Sequence, residues 1–133
     1  MNVFTRLKSM NILLIDDDEW IRDAMRVFFE TEGCGITTLE TAEEALEMIH
    51  RKDFDIVICD YKLPGLNGLT LLKQVRQVQS RALTMLITAY KTDDLVSEAK
   101  KIGVNAFIAK PFTSEAIEAS LNQLISEAKY ESL

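Results

Sequence analysis

One apolar run after another in this chain stops at a side chain that carries charge or a hydroxyl. Residues 11–15 run into Asp16, Asp17, Asp18 and Glu19; 56–59 run into Asp60; 83–87 run into Thr88; 107–109 run into Lys110. Short continuous apolar runs bounded by polar residues read as fully buried strands. The stretches between them have helical spacing. Ile21, Met25, Phe28 and Phe29 fall on one face of a helix predicted over 18–32, which Gly33 and Gly35 end. Thr41 and Glu44 form a capping box for a helix to about residue 51. Spacing at Leu69, Leu72, Val75 and Val78 predicts another helix. Thr92 caps a further one, with Asp93 and Asp94 in its first turn and Lys100 and Lys101 in its last, as the helix dipole favours. Thr113 or Ser114 opens the last helix, to residue 128. Strands are expected at 11–15, 36–39, 55–59, 83–87 and 104–109.

Five apolar strands, each followed by a helix, require a parallel sheet covered on both faces, an α/β doubly wound (βα)5 architecture. Right-handed crossovers then bring every strand's carboxyl end to one edge, where such sheets hold their ligands. Acid, acid, hydroxyl and amine therefore meet there.

Bulk properties narrow the function. The chain has 133 residues, suited to one domain, expected over 10–129, with residues 1–9 as an N-terminal extension and 130–133 as a short tail. Met10 directly precedes the first strand and would serve equally well as a start. Apolar residues are 47% and charged residues 27%, in the range of soluble globular domains. No apolar run approaches the roughly 20 residues of a membrane span, and the first ten residues lack the apolar centre of a signal peptide. With net charge −6 and no Lys/Arg cluster, direct nucleic-acid binding is not expected. Cys34 and Cys59 read as reduced thiols of a cytoplasmic protein. His50 is the single histidine, which excludes a His-rich metal site, and it reads as a surface helix residue rather than a member of a Ser-His-Asp triad.

The strand-end residues suit Mg²⁺-assisted phosphoryl chemistry. Mg²⁺ takes hard oxygen ligands and keeps several waters; Asp17 and Asp60 supply such a shell, with Asp16 holding a water. A cation lets Asp60 stay ionised among other acids, and an ionised carboxylate can attack phosphorus to give an acyl phosphate. The Lys110 ammonium and Thr88 hydroxyl would meet the phosphoryl oxygens. Taken singly, each residue is an ordinary turn or cap; the conjunction at four strand ends carries the inference.

With these residues in place, the chain resembles the receiver domain of two-component response regulators over residues 10–128. The matching pieces are 12–19, 60–68, Thr88 with Ala89, and 107–112. The resemblance implies a flavodoxin-like fold with strand order 2-1-3-4-5. It implies that Asp60 is the phosphoacceptor, charged by a sensor histidine kinase or phosphotransfer protein. It further implies that Asp17, Asp60 and the backbone carbonyl of Lys62 hold Mg²⁺ with Asp16 in support, that Thr88 and Lys110 bind the phosphoryl group, and that the Lys110–Pro111 peptide is cis. Phe107 matches the switch aromatic, where many relatives have tyrosine. Lys62 and Tyr90 flank the pocket, and their bulk implies a long-lived phosphoryl group.

The expected function is a phosphorylation switch rather than a turnover enzyme. Its readout face, residues 92–128, would dock an output domain, another protein or a second copy of the chain. Whether the receiver stands alone or begins a longer regulator is left open. Two rival readings lack a residue they need. A Mg²⁺-dependent phosphatase with an aspartate nucleophile needs a second Asp two residues on, where Lys62 stands. A flavin-binding flavodoxin needs a Ser/Thr/Gly phosphate loop, where four acids stand.

Overall fold

The computed structural model describes residues 2–131, with side chains described to residue 126. Its strands are β1 (Ile12–Ile15), β2 (Thr37–Leu39), β3 (Ile56–Asp60), β4 (Leu83–Thr88) and β5 (Ala106–Ala109). All pair in parallel in the order β2-β1-β3-β4-β5, the flavodoxin-like order expected. The helices are α1 (Val3–Leu7), α2 (Glu19–Thr31), α3 (Ala42–Ile49), α4 (Gly68–Val78), α5 (Asp93–Ile102) and α6 (Ser114–Glu131).

Strand residues alternate between two apolar layers, as the pleat dictates. Leu13, Ile15, Val57, Cys59 and Leu86 face α3, α4 and α5, where they pack with Ala45, Ile49, Leu72, Val75 and Ala99. Ile12, Leu14, Ile56, Ile58, Met85 and Ile87 face the other way, with Met25 and Phe29 of α2 and Leu121 and Leu124 of α6. Each fully buried aliphatic contributes roughly 1.5–3 kcal/mol, so these two layers fix the strand ends in space. The two thiols, Cys34 and Cys59, are unpaired and lie in different layers.

Side-chain caps fix where the helices begin. Asp18 caps α2 by accepting from the Trp20 amide, Asn67 caps α4 by accepting from Thr70, and Thr92 caps α5 by accepting from Leu95. The Thr41–Glu44 capping box is complete on both sides. At α6 the choice falls on Thr113, whose Oγ1 accepts from the Ala116 amide at 3.1 Å. Gly103 closes α5 at φ 100°, a conformation glycine adopts without a Cβ penalty.

Residues 1–9, set apart as an extension on sequence, supply α1. Its Val3, Phe4 and Leu7 are buried in the α2/α6 layer, and Phe4 meets the Phe28 ring edge-on at 5.5 Å. α6 runs past residue 128 to Glu131; of the tail 130–133, the last two residues lie outside the described residues.

Candidate functional site

The sheet's carboxyl edge gathers the strand-end residues. Two of them belong to the strands themselves: Asp60 is the last residue of β3 and Thr88 the last of β4. The ladder continues through both, since Tyr61 N donates to Ile87 O at 2.8 Å and Lys110 N to Thr88 O at 2.8 Å. Asp16 follows β1, still tied to β2 by its amide bond to Leu39 O at 3.1 Å. Its side chain is fully buried. Asp16 Oδ1 accepts from the Asp18 amide at 2.9 Å, which turns the chain into α2. Lys110 follows β5, and its peptide to Pro111 is cis.

Lys110 bridges two acids. Its Nζ lies 3.1 Å from Asp16 Oδ2 and 3.2 Å from Asp60 Oδ2. Asp16 Oδ2 is buried, and the ion pair with Lys110 is its one polar partner among the described residues. Carboxylate oxygens of Asp16, Asp17 and Asp60 lie within 4.8 Å of one another. Asp17 is exposed, and among the described residues its carboxylate has neither hydrogen bond nor ion pair.

The electrostatics follow from burial. Desolvation raises the Asp60 pKa, the charge of Asp16 adds to it, and Lys110 opposes both. Desolvation likewise raises Asp16, against the Asp18 amide bond and the Lys110 charge. Burial pulls Lys110 down, but the two carboxylates outweigh it and leave its pKa raised. Lys110 is therefore a fixed cation, and among the described residues it is the one cation ion-paired with these acids, so it offsets them only in part.

These acids open into a cavity of about 570 Å³. Asp17, Asp60, Lys62, Thr88, Tyr90 and Lys110 line it. At its mouth the Lys62 ammonium sits 5.4 Å over the Tyr90 ring, a cation–π contact. Thr88 is buried, and its Oγ1 accepts from the Tyr90 amide at 3.0 Å, which leaves the hydroxyl proton for an acceptor in the cavity. Phe107 lies outside this cavity. It is half-buried against the α3/α4/α5 layer, level with Leu86 of β4.

The donor set fits a divalent cation: clustered carboxylates, one buried oxygen lacking a hydrogen bond, and no imidazole within reach. His50 sits at the far C-cap of α3 with Nδ1 2.7 Å from Leu46 O.

Two contributors were not picked out from sequence. Arg22 reaches back from α2 and donates from Nη1 to Asp16 O at 2.8 Å. A basic residue one turn after an acidic cap is the only signal of it. Gly68 starts α4 against the end of β3; a Cβ there would lie 2.0 Å from Asp60 O. Its place in the 60–68 match carried no steric reason.

Comparison with known proteins bears on what this site belongs to. The model of the response regulator receiver domain matches residues 12–122. Transcriptional regulatory protein FixJ of Bradyrhizobium diazoefficiens is 31% identical over 90% of this chain, which spans 58% of that relative. Chemotaxis protein CheY-3 of Vibrio cholerae is 31% identical over 88% of this chain and 92% of its own length. A solved response regulator from Burkholderia pseudomallei, holding a phosphorylated aspartic acid, a calcium ion and citrate, superposes with a TM-score of 0.80. It is 27% identical, over 93% of this chain and 73% of its own. The strand order, the acid-lined edge and these matches together make the chain a member of the receiver-domain family of two-component response regulators.

Proposed function

We propose that Asp60 is the phosphoacceptor of this receiver, and that the 10–129 unit switches conformation when it is modified. The observation that carries this reading is the Lys110 ammonium held 3.2 Å from Asp60 Oδ2 beside an open, acid-lined cavity. A sensor histidine kinase or phosphotransfer protein is the donor. An Asp60 oxygen attacks phosphorus, the O–P bond forms, and the P–N bond of the phosphohistidine breaks with its electron pair leaving on the imidazole. Lys110 then pairs with the new phosphoryl oxygens and the Thr88 hydroxyl donates to one of them. Asp17, Asp60 and the Lys62 carbonyl would hold Mg²⁺, with Asp16 in support; when bound, the ion supplies positive charge that offsets the acids and the incoming phosphoryl oxygens.

Movement of Thr88 toward the cavity vacates space beside β5, and Phe107, already half-buried, turns into it. Having no hydroxyl, it is held there by burial alone. The altered face, residues 92–128, docks an output domain, a partner or a second copy. The cytoplasm is the setting, since a histidine kinase must reach the cavity. Among the described residues no helix is long and apolar enough to cross a membrane.

Intact-mass measurement after incubation with acetyl phosphate and Mg²⁺ tests the assignment. One phosphoryl adduct on the wild type and none on Asp60→Asn is expected; an adduct on both would move the acceptor elsewhere.

A further inference from the structure

The three acids of the cluster are not held equally. Asp60 is fixed by the β3–β4 ladder and by Lys110. Asp16 is fixed by Leu39, by the Asp18 amide and by Lys110. Among the described residues Asp17 has no side-chain partner, so its backbone aims its carboxylate. Both peptide planes beside Asp17 are clamped. The following one is held by the Asp18 amide on Asp16 Oδ1 at 2.9 Å. The preceding one is held by Arg22, whose Nη1 donates to Asp16 O at 2.8 Å.

We propose that Arg22 is a positioning residue for divalent-cation binding: by gripping the Asp16 carbonyl it fixes the direction of the Asp17 carboxylate. This rests on reading Asp16, Asp17 and Asp60 as the cation site. Arg22 is well placed to do so. It is half-buried, and its own amide bonds the Asp18 carbonyl at 3.1 Å, so the guanidinium is anchored on the first turn of α2. Mg²⁺ demands near-ideal octahedral geometry, whereas Ca²⁺ accepts flexible coordination. Loosening Asp17 therefore weakens Mg²⁺ more than Ca²⁺.

The sign separates positioning from charge. Arg22 is a cation near three acids, so if charge were its only role, removing it would tighten binding of another cation. Positioning predicts weaker binding. The test measures Mg²⁺ and Ca²⁺ dissociation constants of the full chain by fluorescence of Trp20, its single tryptophan, next to the Asp18 cap, with calorimetry as a check. Arg22→Gln removes the long donor and the charge. Arg22→Lys keeps the charge with a different donor, and carries the test if the first variant fails to fold. Arg26→Gln, from a solvent-facing pair with Asp23 on the same helix, controls for charge.

For Arg22→Gln the Mg²⁺ dissociation constant should rise about tenfold, the low end for groups that orient a metal ligand. The Ca²⁺ constant should rise less, Arg22→Lys should fall between Arg22→Gln and wild type, and Arg26→Gln should be unchanged or slightly tighter. Equal or tighter Mg²⁺ binding by Arg22→Gln, or an equal loss for both ions, overturns the proposal. If wild-type protein binds neither ion, the cation-site reading fails and takes this inference with it. If wild type binds and Arg22→Gln matches it, only the role of Arg22 fails.

Discussion

Replacing Lys110 with methionine keeps the bulk of the side chain and removes the one ammonium between Asp16 and Asp60. Two unit charges about 3 Å apart interact by about 5 kcal/mol at an effective dielectric near 20. Lys110 makes two such contacts at 3.1 and 3.2 Å, with its side chain only 20% exposed. The full loss is not realised, because an unpaired carboxyl can take up a proton instead. Keeping a carboxyl of ordinary pKa 3.8 neutral costs about 1.4 kcal/mol for each pH unit above that value. One proton taken up between the two neighbouring carboxyls relieves both, so the ceiling is about 4 kcal/mol at about pH 7 and about 1.6 kcal/mol at about pH 5. We expect Lys110→Met to lose about 3 kcal/mol at the higher pH and about 1 kcal/mol at the lower.

The sign is fixed by linkage. Asp16 and Asp60 already have raised pKa values in the folded protein. They therefore bind more protons folded than unfolded, and stability falls as pH rises through their folded values. Removing Lys110 pushes both further up and widens that window. Urea melts of the two proteins at both pH values, first with a chelator and then with millimolar Mg²⁺, measure the difference. Added Mg²⁺ should narrow the gap by replacing the lost positive charge. A loss that is equal at both pH values and indifferent to Mg²⁺ would refute the view that Lys110 is chiefly a counter-charge.

Two further outcomes are expected. Gly68→Ala places a methyl 2.0 Å from Asp60 O, a backbone atom with little room to move, so α4 must lift from β3; urea melts should show about 2–3 kcal/mol of destabilisation, whereas Gly35→Ala, with nothing within 4 Å, should be near neutral. Lys62→Asn and Tyr90→Ala each break the cation–π contact across the cavity mouth and admit water, so the phosphoryl group on Asp60 should decay several-fold faster by intact mass; unchanged decay in both would show that the pair does not shield it.

How much of this could be read from residues alone depended on whether the signal was local. The five strands were legible because each is a short, mainly apolar or β-branched run, yet β3 and β4 extend one residue beyond those runs, to Asp60 and Thr88. Polarity ends a run in sequence; the ladder ends only where the next amide lacks a partner. The edge strand β2, half-buried throughout, is shorter than expected and lacks Ile36. α1 was invisible because five residues establish no period, and its Val3, Phe4 and Leu7 are buried only by the distant α2 and α6. At the site, the residue types and their shared edge were legible. Arg22 and Gly68 were not, since one acts through a backbone carbonyl and the other through the absence of a Cβ.

The same charge count links cation, phosphoryl group and switch. Three clustered carboxylates are ion-paired with one ammonium, while Arg22 is engaged with a backbone carbonyl and Lys62 with an aromatic ring, so about two negative charges lack a direct counter-ion, a balance a divalent cation brings near zero. On the reading that Asp60 is the acceptor, phosphorylation exchanges one carboxylate charge for a phosphoryl group of about −2, so the site gains about one negative charge. Cation affinity must then rise with phosphorylation, and phosphoryl affinity with the cation, by the same factor. Lys110 is already committed to Asp16 and Asp60, and can meet the added charge only by shifting between them. Thr88 lines the cavity, and its oxygen, held only by the Tyr90 amide among the described residues, leaves a hydroxyl proton to donate. The residue with the least to give up is thus the one the added charge draws first, and it stands at the end of β4, beside the strand that carries Phe107.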